Sequence, residues 1–170
     1  LNKMDKKIVK EKASFLLIHN ISKLNNIGLL LQSALTFNVK SIFIINRNKR
    51  KKLNTIPGIP SEMIKFAGDR GASKYLNYKI FESFTKFVEF CEKESIFLCG
   101  IEIGESSKSL TSDPFHDKTC FILGNEGQGL VGKARKICQG LTYIPHYSNK
   151  TASLNVATAG AIVLQRFAEW

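Results

Sequence analysis

Cysteine is scarce in this chain: there are four in 170 residues, none in a Cys-x-x-Cys pair. That argues against a disulfide-stapled fold and against a zinc ribbon. Cys91, Cys99, Cys120 and Cys138 have no histidine at a metal-ligand spacing, and Cys99 and Cys120 sit inside apolar runs, where a thiol packs as a small hydrophobe. All four are expected to be reduced and structural, in an intracellular compartment, with no metal. Long hydrophobic runs are missing too. No segment approaches the roughly 18 to 20 consecutive apolar residues of a membrane-spanning helix, so no membrane partner is expected. Acidic residues are outnumbered, 14 against 25 lysines and arginines, leaving a net charge of +11. An excess of that size points to a polyanionic partner, nucleic acid before an anionic membrane surface.

The basic residues concentrate at two places, residues 3–12 and 47–52. The first is too lysine-rich for a secretory signal, and residues 1–13 are expected to form a basic N-terminal extension. The second follows an expected strand and so lies on a loop, where Arg47, Lys49, Arg50, Lys51 and Lys52 can reach phosphates without disturbing a core. These five are the candidate nucleic-acid-binding residues. Residues 14–170 carry no internal repeat, low-complexity tract or long linker, and their length suits a single domain with a real core.

Short apolar runs at 15–18, 41–45, 78–81, 97–101, 120–123 and 141–144 predict strands. Helical periodicity or capping chemistry predicts helices at 28–37, 83–93, 131–138 and 153–170, and a weak one at 62–67. Asn25 or Asn26 is expected to cap the first, Ser83 the second and Ser153 the last. Strands alternate with helices, and each strand is apolar throughout instead of alternating in and out. The expected fold class is therefore α/β, a mostly parallel sheet with helices on both faces. Ligands in such sheets bind beyond the carboxyl ends of the strands. The segments after Ile18, Ile45, Ile101, Leu123 and Ile144 are the ones to inspect.

Three of them carry chemistry. The run Gly124-Asn125-Glu126-Gly127-Gln128-Gly129 allows close backbone approach to a ligand. Its spacing does not fit the dinucleotide fingerprint. A phosphate loop nearly fits from Gly127 to Lys133, but Ala134 stands where a hydroxyl should hold magnesium, which argues against a nucleotide phosphohydrolase. The second segment runs from Ile144-Pro145 to Ser153-Leu154-Asn155 and opens a helix of small residues. The third holds Asn26 and Gly28, close after a strand end.

Taken together, three motifs in this order resemble the SpoU-like (TrmH-like) branch of the SPOUT RNA 2′-O-ribose methyltransferases. They are Asn26-Ile27-Gly28 continuing to Gln32, the strand entering Gly124-Asn125-Glu126 up to Gly129-Leu130, and Ile144-Pro145 followed by Ser153-Leu154-Asn155-Val156. The resemblance implies a C-terminal trefoil knot, S-adenosylmethionine as cofactor, tRNA or rRNA as substrate, and a homodimer. It implies cofactor contacts at Ile101, Gly124, Asn125, Glu126, Gly127, Ile144, Pro145, Ser153 and Leu154, and a catalytic set at Asn26, Gln32, Glu126, Ser153 and Asn155. One position departs from the pattern. The family places an arginine where this chain has Gln32, and a neutral amide can neither pair bidentately with phosphate nor act as a useful base. Two readings follow: an active methyltransferase, and an RNA-binding relative without turnover. The apolar face Val156, Ile162, Val163 and Phe167 suits either a dimer interface or the core.

Overall fold

The structure is a computed structural model that describes residues 11–45, 68–125, 127–148, 150 and 153–170. The expected helix at 62–67, the basic residues Arg47, Lys49, Arg50, Lys51 and Lys52, and Glu126 lie outside the described residues. The chain runs β1 (Ala13–Ile18), α1 (Leu24–Thr36), β2 (Ser41–Ile45), β3 (Tyr78–Phe81), α2 (Phe84–Lys93), β4 (Phe97–Ile101), β5 (Lys108–Ser109), β6 (Lys118–Leu123), α3 (Gly132–Lys136), β7 (Gly140–Tyr143) and α4 (Val156–Glu169).

The strands form one seven-stranded sheet in the order β3-β2-β1-β6-β4-β7-β5, and every pair in it is parallel. This is why the strands read as continuous apolar runs: β1 is buried at all six positions, with helices covering both faces. One face packs Leu16, Ile42, Cys99 and Phe121 under α1 and α4. The other packs Phe15, Phe43, Leu98 and Ile122 with Phe84 and Phe87 of α2 and Ala134 of α3. Each fully buried side chain of this size contributes about 1.5–3 kcal/mol by leaving water.

The register decides where a site can be. Ile101 of β4 is level with Leu123 of β6 on one side and with Thr142 of β7 on the other. Three successive loops therefore leave the sheet side by side at its carboxyl edge.

The helix ends differ in part from expectation. Ser83 does cap α2, accepting a hydrogen bond from the Lys86 amide at 3.2 Å. The first helix begins earlier than expected, after Lys23, and has no side-chain cap. Asn25 and Asn26 lie inside it, and Asn26 is buried. The last helix is capped by Asn155, not Ser153: the Asn155 side-chain oxygen Oδ1 accepts from the Ala157 amide at 2.8 Å and from the Thr158 amide at 3.3 Å. On α4, Val156, Val163 and Phe167 pack into the core, with Ile162 partly buried against it. Core packing thus accounts for Val156, Val163 and Phe167 of this face. Gly160 lies where α4 meets α1, and a Cβ there would fall 2.3 Å from Leu30 Cδ2.

Burial pushes the thiols of Cys91, Cys99 and Cys138 up to about 12, and that of fully enclosed Cys120 well above its ordinary value. All four cysteines are free and protonated at neutral pH, as a small hydrophobe in a core should be. Among the described residues, no helix is long and apolar enough to cross a membrane.

Candidate functional site

The loops after β4, β6 and β7 and the entry to α4 enclose a cleft of about 330 Å³. That volume falls within the range of about 300–1,000 Å³ usual for small-molecule sites. Apolar side chains form most of its wall, among them Ile101, Leu123, Leu130, Ile144 and Val156. Of the candidate cofactor contacts, Ile101, Gly124, Asn125, Gly127, Ile144, Ser153 and Leu154 all line it. Pro145 is not among the lining residues, although both of its chain neighbours are.

The turn after β6 is tied at several points. Asn125 and Gly129 exchange backbone hydrogen bonds of 2.8 and 2.9 Å. The Asn125 side-chain oxygen accepts from the Gly127 amide at 2.9 Å, and its amide nitrogen donates to the Asn20 carbonyl at 2.8 Å. The last bond joins this turn to the loop after β1. The turn folds back so tightly that a Cβ on Gly124 would lie 2.3 Å from the Gly129 carbonyl carbon and 2.5 Å from the Leu130 nitrogen.

A second pair of asparagines joins two of the motifs. Asn155 Nδ2 donates to Asn26 Oδ1 at 3.0 Å, while the Asn155 oxygen caps α4. The capping bonds use the oxygen and the pairing uses the nitrogen, so the orientation of the amide is fixed. Asn26 is 4% exposed. The pair holds the start of α4, and with it Ser153 and Leu154, against the first turn of α1. Asn155→Ala is expected to lower stability by about 2–3 kcal/mol, from a lost cap of about 1–2 kcal/mol and a lost buried hydrogen bond of about 1 kcal/mol. Asn155→Asp keeps the cap acceptor but cannot donate to Asn26, so it should lose less. Urea unfolding of the two variants checks the order.

Gln32 is half-buried on α1, its carbonyl accepting from Thr36 Oγ1 at 2.9 Å, and it is not a lining residue of the cleft. Asn26 and Asn155 are likewise outside the wall, and their pairing holds the entry to α4 that borders it. The near phosphate loop ends in α3, where Lys133 is exposed and also absent from the wall.

Several lining residues were not singled out by sequence: Glu102, Ile103, Tyr143 and His146. Each lies within two residues of a strand end already marked for inspection, so their places were indicated but their side chains were not. Glu102 is anchored twice. Its amide donates to the Thr142 carbonyl at 2.9 Å, and its Oε2 pairs with Arg135 Nε at 2.8 Å.

The sequence and the fold are similar to those of known proteins. The model of the SpoU rRNA Methylase family matches residues 13–165. The 23S rRNA (guanosine-2′-O-)-methyltransferase RlmB of Xanthomonas campestris is 26% identical over 153 residues, which cover 90% of this chain and 57% of that protein. An uncharacterized tRNA/rRNA methyltransferase of Synechocystis is 25% identical over 149 residues, 88% of this chain and 36% of that one. The chain thus spans 36% to 57% of the length of these relatives. The crystal structure of an AdoMet-bound rRNA methyltransferase from Sinorhizobium meliloti superposes with a TM-score of 0.77 at 16% identity, over 94% of this chain and 57% of that one.

Proposed function

The chain belongs to the SpoU rRNA methylase family, and from that membership we propose that it transfers a methyl group from S-adenosylmethionine to a ribose 2′-hydroxyl of tRNA or rRNA. The observation that carries this reading is the convergence of the β4, β6 and β7 loops and the α4 entry on one cleft. Its apolar walls and tightly folded backbone suit a nucleoside with an organosulfur tail better than a polyphosphate. When bound, S-adenosylmethionine supplies an electrophilic methyl group on a cationic sulfur. The rest is positioning and removal of one proton. In this reading Gly124, Asn125 and Gly127 shape the adenosyl wall, with Ile101, Ile144, Ser153 and Leu154 around it and Pro145 setting the chain between Ile144 and His146. Asn26 and Asn155 keep the α4 entry in place, and Glu126 and Ser153 are proposed to assist the transfer itself.

The RNA partner is supported by the net charge of +11, and Arg47, Lys49, Arg50, Lys51 and Lys52 are proposed to hold its phosphates. A homodimer is supported by Leu24 and Leu35, 37% and 39% exposed on one face of α1. The C-terminal knot belongs to the same reading through family membership.

The test is transfer of a labelled methyl group from S-adenosylmethionine to RNA, followed by alkaline hydrolysis. A 2′-O-methyl group blocks cleavage at the neighbouring phosphodiester, so label should persist in alkali-resistant dinucleotides. Label released as mononucleotides would refute ribose methylation. Gln32 favours a second reading, in which RNA is bound without turnover. A charge-assisted contact is worth about 1.5–3 kcal/mol. Gln32→Arg is therefore expected to raise the transfer rate about tenfold to a hundredfold. An unchanged rate would show that charge at this position is not limiting.

A further inference from the structure

We propose that Glu102 recognises the ribose of the bound nucleoside, its Oε1 accepting hydrogen bonds from the vicinal hydroxyls while Arg135 holds the carboxylate in place. The inference rests on the adenosyl reading of the cleft. Among the described lining residues Glu102 is the sole carboxylate. Its backbone is fixed at the end of β4 by the hydrogen bond to Thr142. Arg135 takes Oε2, and Oε1 lies 3.6 Å from the point where a side chain on Gly129 would begin. Gly129 is itself part of the wall, so this oxygen lies beside the cleft.

The ion pair alone does not explain the arrangement. The two side chains are 27% and 41% exposed, and a pair that wet contributes little to stability. Its chemistry fits a diol better than the sulfonium. Arg135 already neutralises the carboxylate, so the pair has little net charge with which to attract a cation. The lone pairs of Oε1 remain directional acceptors beside the apolar wall of Ile101 and Leu130. Carboxylates beyond strand ends take ribose hydroxyls in dinucleotide-binding folds for the same reason.

The experiment titrates the full chain calorimetrically with S-adenosylhomocysteine and with its 2′,3′-dideoxy analogue. The wild type should prefer the diol about tenfold to a hundredfold. Glu102→Ala should bind both compounds equally weakly. Glu102→Gln, which keeps a neutral acceptor and the same shape, should retain a preference of a few-fold and guards against misfolding of the alanine variant. Equal binding of the two compounds by the wild type would overturn the proposal alone, as would a preference that survives in both variants. Failure of the wild type to bind either compound would overturn the adenosyl reading, and this proposal with it.

Discussion

Replacing Gly124 with alanine is expected to weaken binding of S-adenosylhomocysteine at least a hundredfold while leaving the sheet folded. The added Cβ would lie 2.3 Å from the Gly129 carbonyl carbon, 2.5 Å from the Leu130 nitrogen and 2.8 Å from the Gly129 Cα. All three are backbone atoms, so no side-chain rotation relieves the clash. The turn must open, and opening it breaks the Asn125–Gly129 backbone pair and displaces Leu130 from its buried seat. Gly124, Asn125, Gly127, Gly129 and Leu130 all line the cleft, so one wall moves as a unit. A hundredfold is about 2.7 kcal/mol of binding, the scale of two or three lost hydrogen bonds and contacts. The stability cost should stay near the 1–3 kcal/mol of an overpacked site, about the level a folded domain tolerates. Calorimetry and a thermal melt separate the two effects. Unchanged affinity in a folded variant would mean that this turn is not part of the ligand wall.

The second large effect is expected far from the cleft. Phe43 of β2 is 1% exposed and stacks on Phe15 with ring centroids 5.1 Å apart. Phe81, Phe87 and Phe90 meet it edge-on at 5.6, 5.7 and 5.8 Å. Truncating a ring packed on so many sides leaves a cavity its neighbours cannot close. Phe43→Ala should lose about 3–5 kcal/mol. A domain of this kind has a total of about 5–15 kcal/mol, so much of its margin would go. Because β2 is separated from β4 by β1 and β6, the molecules that remain folded should bind ligand with unchanged affinity. Urea unfolding at low temperature measures the first quantity, and titration under the same conditions measures the second. A loss below 1 kcal/mol would contradict the packing argument.

Much of this fold was legible in the chain because a parallel sheet covered on both faces demands continuous apolar strands. The expected bounds at 41–45, 78–81 and 97–101 coincide with β2, β3 and β4. The two-residue strand β5, Lys108–Ser109, has no such run and was missed. The strand order was not legible either, since nothing local in Lys118–Leu123 places it between β1 and β4.

At the site, the loops after Ile101, Leu123 and Ile144 were marked from topology alone, and they do meet around one cleft. What escaped were contacts between residues distant in sequence. Asn26 and Asn155 pair across 129 positions, and that pairing, not local propensity, accounts for Asn26 lying buried within α1. Ser153 and Asn155 are both good capping residues, and only the assembled helix entry selects the second. The Glu102–Arg135 bond likewise joins a strand end to a short helix that no local pattern connects.

The central claim is that a single nucleoside is gripped by the ends of β4, β6 and β7 together with the start of α4. Hydrogen–deuterium exchange with and without S-adenosylhomocysteine tests it most directly. The account predicts slowed exchange at residues 101–103, 124–130, 143–146 and 153–156 and little change along β2, β3 and α2. Protection confined to the β2, β3 and α2 side, or no protection at saturating ligand, would contradict it.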